Sequence, residues 1–322
     1  MKASRRQNHL AILAALLLIL GLAASQAWAW GSATHCYIDD RLNRQNPGQK
    51  NLGERYGGMA PDLFNYLFAA YQPELYGLTH DDFLQVGEAA GPGKASVARA
   101  LGYGFVSHND LWGADFTAHH SGLTFGQGEG YIVAKAQLLK SYLILAMASV
   151  GVSLSDDAAL DLSHNFVEFA VDVLVKHLDP KIGSKMAQAA LHRNLTFPTL
   201  LVQAYRDEVA ADTGSSPPEA GRLITATEQS FRQMKLYEGQ ALMEEDAAAV
   251  ALLSEELANF AQAYLASFGI ELPPEVTREQ IVSLAENFIF LAMSMCQDDF
   301  ATELEATIEY VGQQLESQGI SY

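Results

Sequence analysis

The sequence predicts an all-α protein. Apolar residues recur at spacings of three and four over long stretches, strand-like alternation is scarce, and Gly151, Gly183 and Gly269 fall at breaks between those stretches. In chain order the pattern gives helices over 35–43, 61–70, 95–118, 131–149, 156–177 and 184–192, then 200–212, 225–240, 244–268, 277–296 and 298–318. Pro61 suits a first helical turn. Ser155 with Asp156 and Asp157 marks another start, and Thr277 with Glu279 marks a cap region after Pro273 and Pro274. The glycine-rich stretches 46–58, 91–93 and 122–130 are expected as loops, and 214–218 as a surface loop or linker. No fixed-period repeat is present. The run Gly126 to Gly130 lacks a preceding strand and is not a dinucleotide fingerprint.

Composition narrows the function classes. The chain has 322 residues, 49% of them hydrophobic and 18% charged, which is enough for a substantial core. A net charge of −18 argues against a stable nucleic-acid partner held in a basic groove. Two cysteines cannot make a disulfide scaffold or a four-thiolate zinc site; Cys36 and Cys296 either pair or remain two buried thiols.

The first 29 residues are expected to be a cleaved signal peptide. Lys2, Arg5 and Arg6 precede an uncharged apolar run over 10–23, and Ala27-Trp28-Ala29 fits a small-x-small cleavage site. The run is short for a span of about 20 residues. Export to the periplasm or medium follows, leaving a single helical domain over 30–322. Cleavage would make Trp30 the new N-terminus, whose free amine and carbonyl oxygen can chelate a metal ion.

Candidate ligands concentrate in the first half of that domain; no histidine follows His192. If the helical period runs on through 108–120, Asp115 lies seven positions after His108 and His119 eleven, each within roughly 20° of the same face. His108, Asp115 and His119 thus form a polar stripe, with His120 as the substitute for His119 and Asp110 pointing elsewhere. His164 and Glu168 are four apart on one helix face, amid Phe166, Val167, Phe169, Ala170 and Val171. Imidazole and carboxylate together are good zinc donors. Asp172, one turn on, is expected to orient His164 or an outer water. Trp30 and His35 sit on a short curl at the processed start. Asp62, beside Pro61, would hold a metal at a helix start, and His80 supplies the imidazole for it.

Taken in order, these residues resemble the zinc-dependent phospholipase C family, whose superfamily includes the single-strand-specific zinc nucleases of fungi and plants. Those proteins begin with a tryptophan whose amino and carbonyl groups ligate zinc, as Trp30 would. The likeness covers Trp30 to about His177. The Trp30-to-His35 spacing is closer to the nuclease branch, and Glu168 is the phospholipase-like choice. The family spaces its histidine and bridging aspartate four apart, whereas His108 and Asp115 are seven apart. Its next histidine comes six residues after that aspartate, against four or five here.

The resemblance implies a multi-helix fold with two or three zinc ions. Asp62, His80, His108 and Asp115 would hold one ion; Trp30, His35 and Asp115 a second, with Asp115 bridging; His119, His164 and Glu168 a third. It implies a phospholipase C that releases diacylglycerol and a phosphorylated headgroup, with Asp62 and Asp115 as the catalytic pair and peripheral contact with membranes. The alternatives are a single-strand-specific nuclease or a catalytically silent zinc-binding protein. Tyr103, Phe105, Trp112 and Phe116 are candidates for a base-stacking slot. Phe64, Tyr66, Phe68, Tyr71 and Tyr76 are candidates for an apolar rim. The C-terminal helices would complete the core or form a lid.

Overall fold

A computed structural model describes residues 30–42, 51–67, 72–91, 96–149, 155–267 and 277–320. The signal segment at 1–29 lies outside them, as do Phe68, Tyr71, the breaks at Gly151 and Gly269, and the side chain of Tyr66. The described residues are helical and contain no strand. In order they form α1 (Ser32–Leu42), α2 (Leu52–Met59), a 3-10 turn (Ala60–Tyr66), α3 (Gln72–His80), α4 (Leu84–Ala90) and α5 (Ser96–His108). Then come α6 (Ala114–His119), α7 (Tyr131–Ser149), α8 (Asp156–Leu178), α9 (Ile182–Leu191) and α10 (Phe197–Thr213). The last are α11 (Pro217–Ala241), α12 (Asp246–Ser267), α13 (Arg278–Cys296) and α14 (Phe300–Ser317). None of these helices is long and apolar enough to cross a membrane.

The helix expected over 95–118 is in fact two. α5 ends at His108, and the Asn109 side-chain oxygen accepts from the backbone N–H of Leu111, Trp112 and Gly113 at 2.9, 2.9 and 3.2 Å. A side chain that bonds nearby backbone donors offers the chain an alternative to the helix ladder, and the chain turns there. His108 and Asp115 therefore do not share one helical stripe.

The glycine-rich stretch before Asp62 is not a plain loop either, because 52–59 is helix α2. Its glycines serve close packing. A Cβ on Gly57 would overlap the Leu101 carbonyl of α5, and one on Gly104 would overlap the Glu54 carbonyl of α2. The two helices cross at backbone distance, which fixes Asp62, just after α2, relative to His108 at the end of α5.

α11 begins at Pro217, eight residues before the expected start. Ser216 and Glu219 form a capping box, and prolines fill the first two helical positions, where no N–H is needed. α13 is capped at its start by Thr277, in a capping box whose partner is Gln280.

The core is continuous and includes Trp30, Tyr56, Phe64, Phe105, Tyr131, Phe197 and Phe231, all fully buried. α8 lies between α1, α7 and α13, and α14 packs on α1 and α6. Glu303 of α14 is buried and accepts from the N–H groups of Leu123, Thr124 and Phe125 at 2.7, 2.7 and 3.2 Å. This ties the loop after His119 and His120 to the C-terminal helix. Cys36 and Cys296 are both buried free thiols.

Candidate metal centre

Five elements deliver imidazoles and carboxylates to one buried region: α1 (His35), the 3-10 turn (Asp62), α3 (His80), α5 (His108) and α6 (Asp115). The tautomers can be deduced from the outer hydrogen bonds. His108 Nδ1 lies 2.7 Å from the Gly58 carbonyl, and His80 Nδ1 lies 3.0 Å from the Tyr76 carbonyl. A carbonyl only accepts, so each Nδ1 donates and each Nε2 carries the lone pair in the neutral ring. Those two Nε2 atoms are 3.2 Å apart. Asp115 Oδ2 is 2.8 Å from His108 Nε2 and 3.6 Å from His80 Nε2, and Asp62 Oδ1 is 3.7 and 3.5 Å from them. When both rings are neutral, four lone-pair-bearing atoms thus face one another in a largely buried region. Such a group repels itself unless a cation or extra protons sit among its members.

Asp115 also reaches the other way. Its Oδ1 is 3.0 Å from His35 Nε2, and the His35 ring stacks on His108 at 3.9 Å between centroids. Asp115 is fully buried, yet neither of its oxygens has a well-formed hydrogen bond, and neither does His35 Nε2. Buried polar atoms are nearly always hydrogen-bonded, and unsatisfied ones that converge are compatible with an ion site. Asp115 thus has an imidazole nitrogen near each of its two oxygens.

A second group lies beside the first. The donor atoms of His119, His164 and Glu168 all lie within 4.8 Å of one another. His164 Nδ1 is 3.2 Å from Glu168 Oε1, which has no hydrogen-bond partner. The sequence left His119 and His120 as alternatives. His119 is nearly buried in this group, whereas the His120 side chain is 54% exposed.

Trp30 is fully buried, with its ring N–H donating to Thr117 Oγ1 at 3.0 Å and its indole stacked on Tyr131. It lines a small, partly open cavity together with Asp62, Asn65, Glu168, Asp172, Lys235 and Glu238. The chelate expected from its freed amine depends on residues that lie outside the described ones.

Of the two roles expected for Asp172, orienting His164 is not the one the hydrogen bonds show. Its carboxylate accepts from the backbone N–H of Ala33 and Thr34 at 3.0 and 2.8 Å and from the Thr34 hydroxyl at 2.7 Å. It therefore caps the start of α1 and holds His35 in place, rather than orienting His164. Asp110, which the sequence placed on another face, is part of the cluster: Asp110, Asp115 and His119 form a further group of close donors. The helix break at Asn109 turns it inward, and the Asn-led turn was the available signal.

Electrostatics follow the geometry. Burial lowers the pKa of His108, but Asp115 and Asp62 override it and raise the group to about 9. Burial pushes Asp115 up, yet His108 and His35 hold it well below the usual carboxylate range. Burial and His119 lower His164, while burial and the carboxylates of Asp62 and Asp115 raise Glu168. Without an ion, His164 is driven neutral and Glu168 toward its protonated form. A divalent cation would reverse the penalty on Glu168 and take the lone pair of His164.

Comparison with protein-family models, curated proteins and solved structures finds no match to this chain. The assignment therefore rests on the site: a buried histidine and aspartate cluster compatible with metal binding, in an all-α protein.

Proposed function

We propose that the chain is an exported, zinc-dependent phosphodiester hydrolase of the phospholipase C type, processed at Trp30. The observation that carries this reading is the pair of adjoining donor groups around Asp115 and Glu168, whose buried oxygens lack partners. Asp62, His80, His108 and Asp115 would hold one ion. His35 and Asp115, with Trp30, would hold a second. His119, His164 and Glu168 would hold a third. When bound, zinc supplies Lewis acidity at the phosphoryl oxygens and lowers the pKa of water toward neutrality.

The chain's own residues divide the remaining work. Asp62 lines the cavity, and its Oδ1 accepts from Asn65 Nδ2 at 2.9 Å, so Oδ2 is the atom assigned to take the proton from the attacking water. The water oxygen bonds to phosphorus, the bond from phosphorus to the glycerol oxygen breaks, and the leaving alkoxide takes up the proton held by Asp62 to give diacylglycerol. His35, His80 and His108 are held by stacking and backbone bonds, which keeps the donor set preorganised.

None of the four candidates for base stacking lines the cavity: Phe105 is fully buried, Trp112 lies edge-on to Phe83, and Phe116 stacks on Tyr310. This favours the lipid or small-phosphodiester reading over the nuclease. Phe64 is also a core residue, and Tyr76 stacks on His80, so neither forms a lipid rim at this cavity.

The test is hydrolysis of a chromogenic phosphocholine diester and of single-stranded DNA, side by side, with and without chelator. The expected result is chelator-sensitive cleavage of the diester, abolished by Asp115→Asn. Zinc binding with neither substrate cleaved would favour the silent protein, and cleavage of DNA alone would favour the nuclease.

A further inference from the structure

Between the two donor groups lies a pair of residues that the hydrolytic scheme does not use. Tyr76 belongs to α3, and Asp110 to the turn after α5. The Tyr76 hydroxyl donates to Asp110 Oδ2 at 2.7 Å. Asp110 Oδ1 is 3.1 Å from His119 Nδ1, and both side chains are nearly buried. An ionised carboxylate only accepts, so His119 Nδ1 donates, and Nε2 carries the lone pair an ion would use. On its other side Tyr76 holds His80. The two rings stack with centroids 3.6 Å apart at 13°, and the Tyr76 carbonyl accepts from His80 Nδ1. The Asp110 N–H donates to the His80 carbonyl at 3.3 Å, which closes the circuit.

We propose that Asp110 is a positioning residue that sets the tautomer and ring orientation of His119, and that Tyr76 links this hold to His80, joining the two donor groups. The proposal rests on the metal-binding reading of those groups. A carboxylate behind a ligating histidine fixes which nitrogen faces the ion and raises its basicity, and its loss typically weakens metal affinity about 10–100-fold. His120, the exposed neighbour, lies 3.6 Å from the same oxygen and does not replace His119 in the buried group.

The test uses the full processed chain with zinc as the probe. Zinc stoichiometry and stepwise affinity are measured by chelator competition for wild type, Asp110→Asn and Tyr76→Phe, and the His119 tautomer is read by nitrogen-15 NMR. Asp110→Asn is expected to weaken one zinc step about 10–100-fold, leave the others within a few-fold, and mix the His119 tautomers. Tyr76→Phe should give a smaller loss at the same step, with folding intact, which covers the case in which the asparagine variant does not fold. Unchanged affinity and tautomer in both variants would overturn the proposal. Loss of an ion with the His119 tautomer preserved would also overturn it, by making Asp110 a ligand. A wild type that binds no divalent ion would instead sink the reading on which the proposal rests.

Discussion

The His108 proton gives the sharpest handle on the cluster. In the metal-free chain, burial disfavours the imidazolium, but Asp115 Oδ2 at 2.8 Å and the Asp62 carboxylate outweigh it, raising the group from 6.5 to about 9. The folded pKa lies above the unfolded one, so this stabilisation is fully present below about pH 6.5 and is lost as pH rises through about 9. At about 1.4 kcal/mol per pH unit, its size is about 3 kcal/mol. Because Nδ1 is committed to the Gly58 carbonyl, the proton at stake sits on Nε2, the atom a zinc ion needs. Zinc binding near neutral pH must therefore expel it, and zinc affinity should climb about tenfold per pH unit up to about pH 9. Asp115→Asn removes the charge that holds the proton. Burial then dominates, and the ring should be neutral at pH 7. The assay is an NMR titration of His108 in metal-free wild type and variant, paired with urea unfolding between pH 6 and 9.5. The wild type should titrate near 9 and lose stability across that window, and the variant should do neither. A His108 that titrates at its ordinary value in both proteins would refute the argument.

Other expectations concern the frame around the site. Gly104→Ala places a methyl against the Glu54 carbonyl and should cost about 1–3 kcal/mol in urea unfolding, because α2 and α5 must part. Asp172→Ala removes three hydrogen bonds from the start of α1 and should cost about 1–2 kcal/mol while weakening the zinc step that involves His35. Lys235→Met leaves Glu238, which the lysine ammonium contacts at 2.6 and 2.7 Å, as a buried carboxylate without its cation. Unfolding should fall by about 3 kcal/mol or more, and a change under about 0.5 kcal/mol would show the pair to be dispensable.

Much of the candidate site was legible because its chemistry is compositional. His35, Asp62, His80, His108, Asp115, His119, His164 and Glu168 stand out as polar residues within apolar helical pattern, and the structure gathers them. The route by which His108 and Asp115 meet was not legible. A continuous helix would have aligned them by periodicity. Instead, Asn109 breaks the helix and the chain turns back, so they approach from different helices and bring Asp110 with them. That outcome depends on one side chain outcompeting the helix ladder, a local contest that apolar spacing does not report. Helix α2 was hidden for a related reason. Gly53, Gly57 and Gly58 weaken helix propensity, and only the close crossing with α5 explains why Gly57 is worth its cost. The start of α11 was carried by Ser216, Pro217 and Pro218, a cap followed by prolines that resembles a linker until Glu219 is seen to complete it. The role of Asp172 depends on α1 packing against α8, which is tertiary information.

The proposed metal centre requires these side chains to surround divalent ions. Anomalous diffraction at the zinc edge, from crystals of the chain beginning at Trp30, tests it most directly. The expected result is two or three peaks, with one about 2.0–2.2 Å from His108 Nε2 and an Asp115 oxygen and another within the same distance of His164 and Glu168. A zinc-soaked crystal with His108, Asp115, His164 and Glu168 in place and no peak among them would contradict the account.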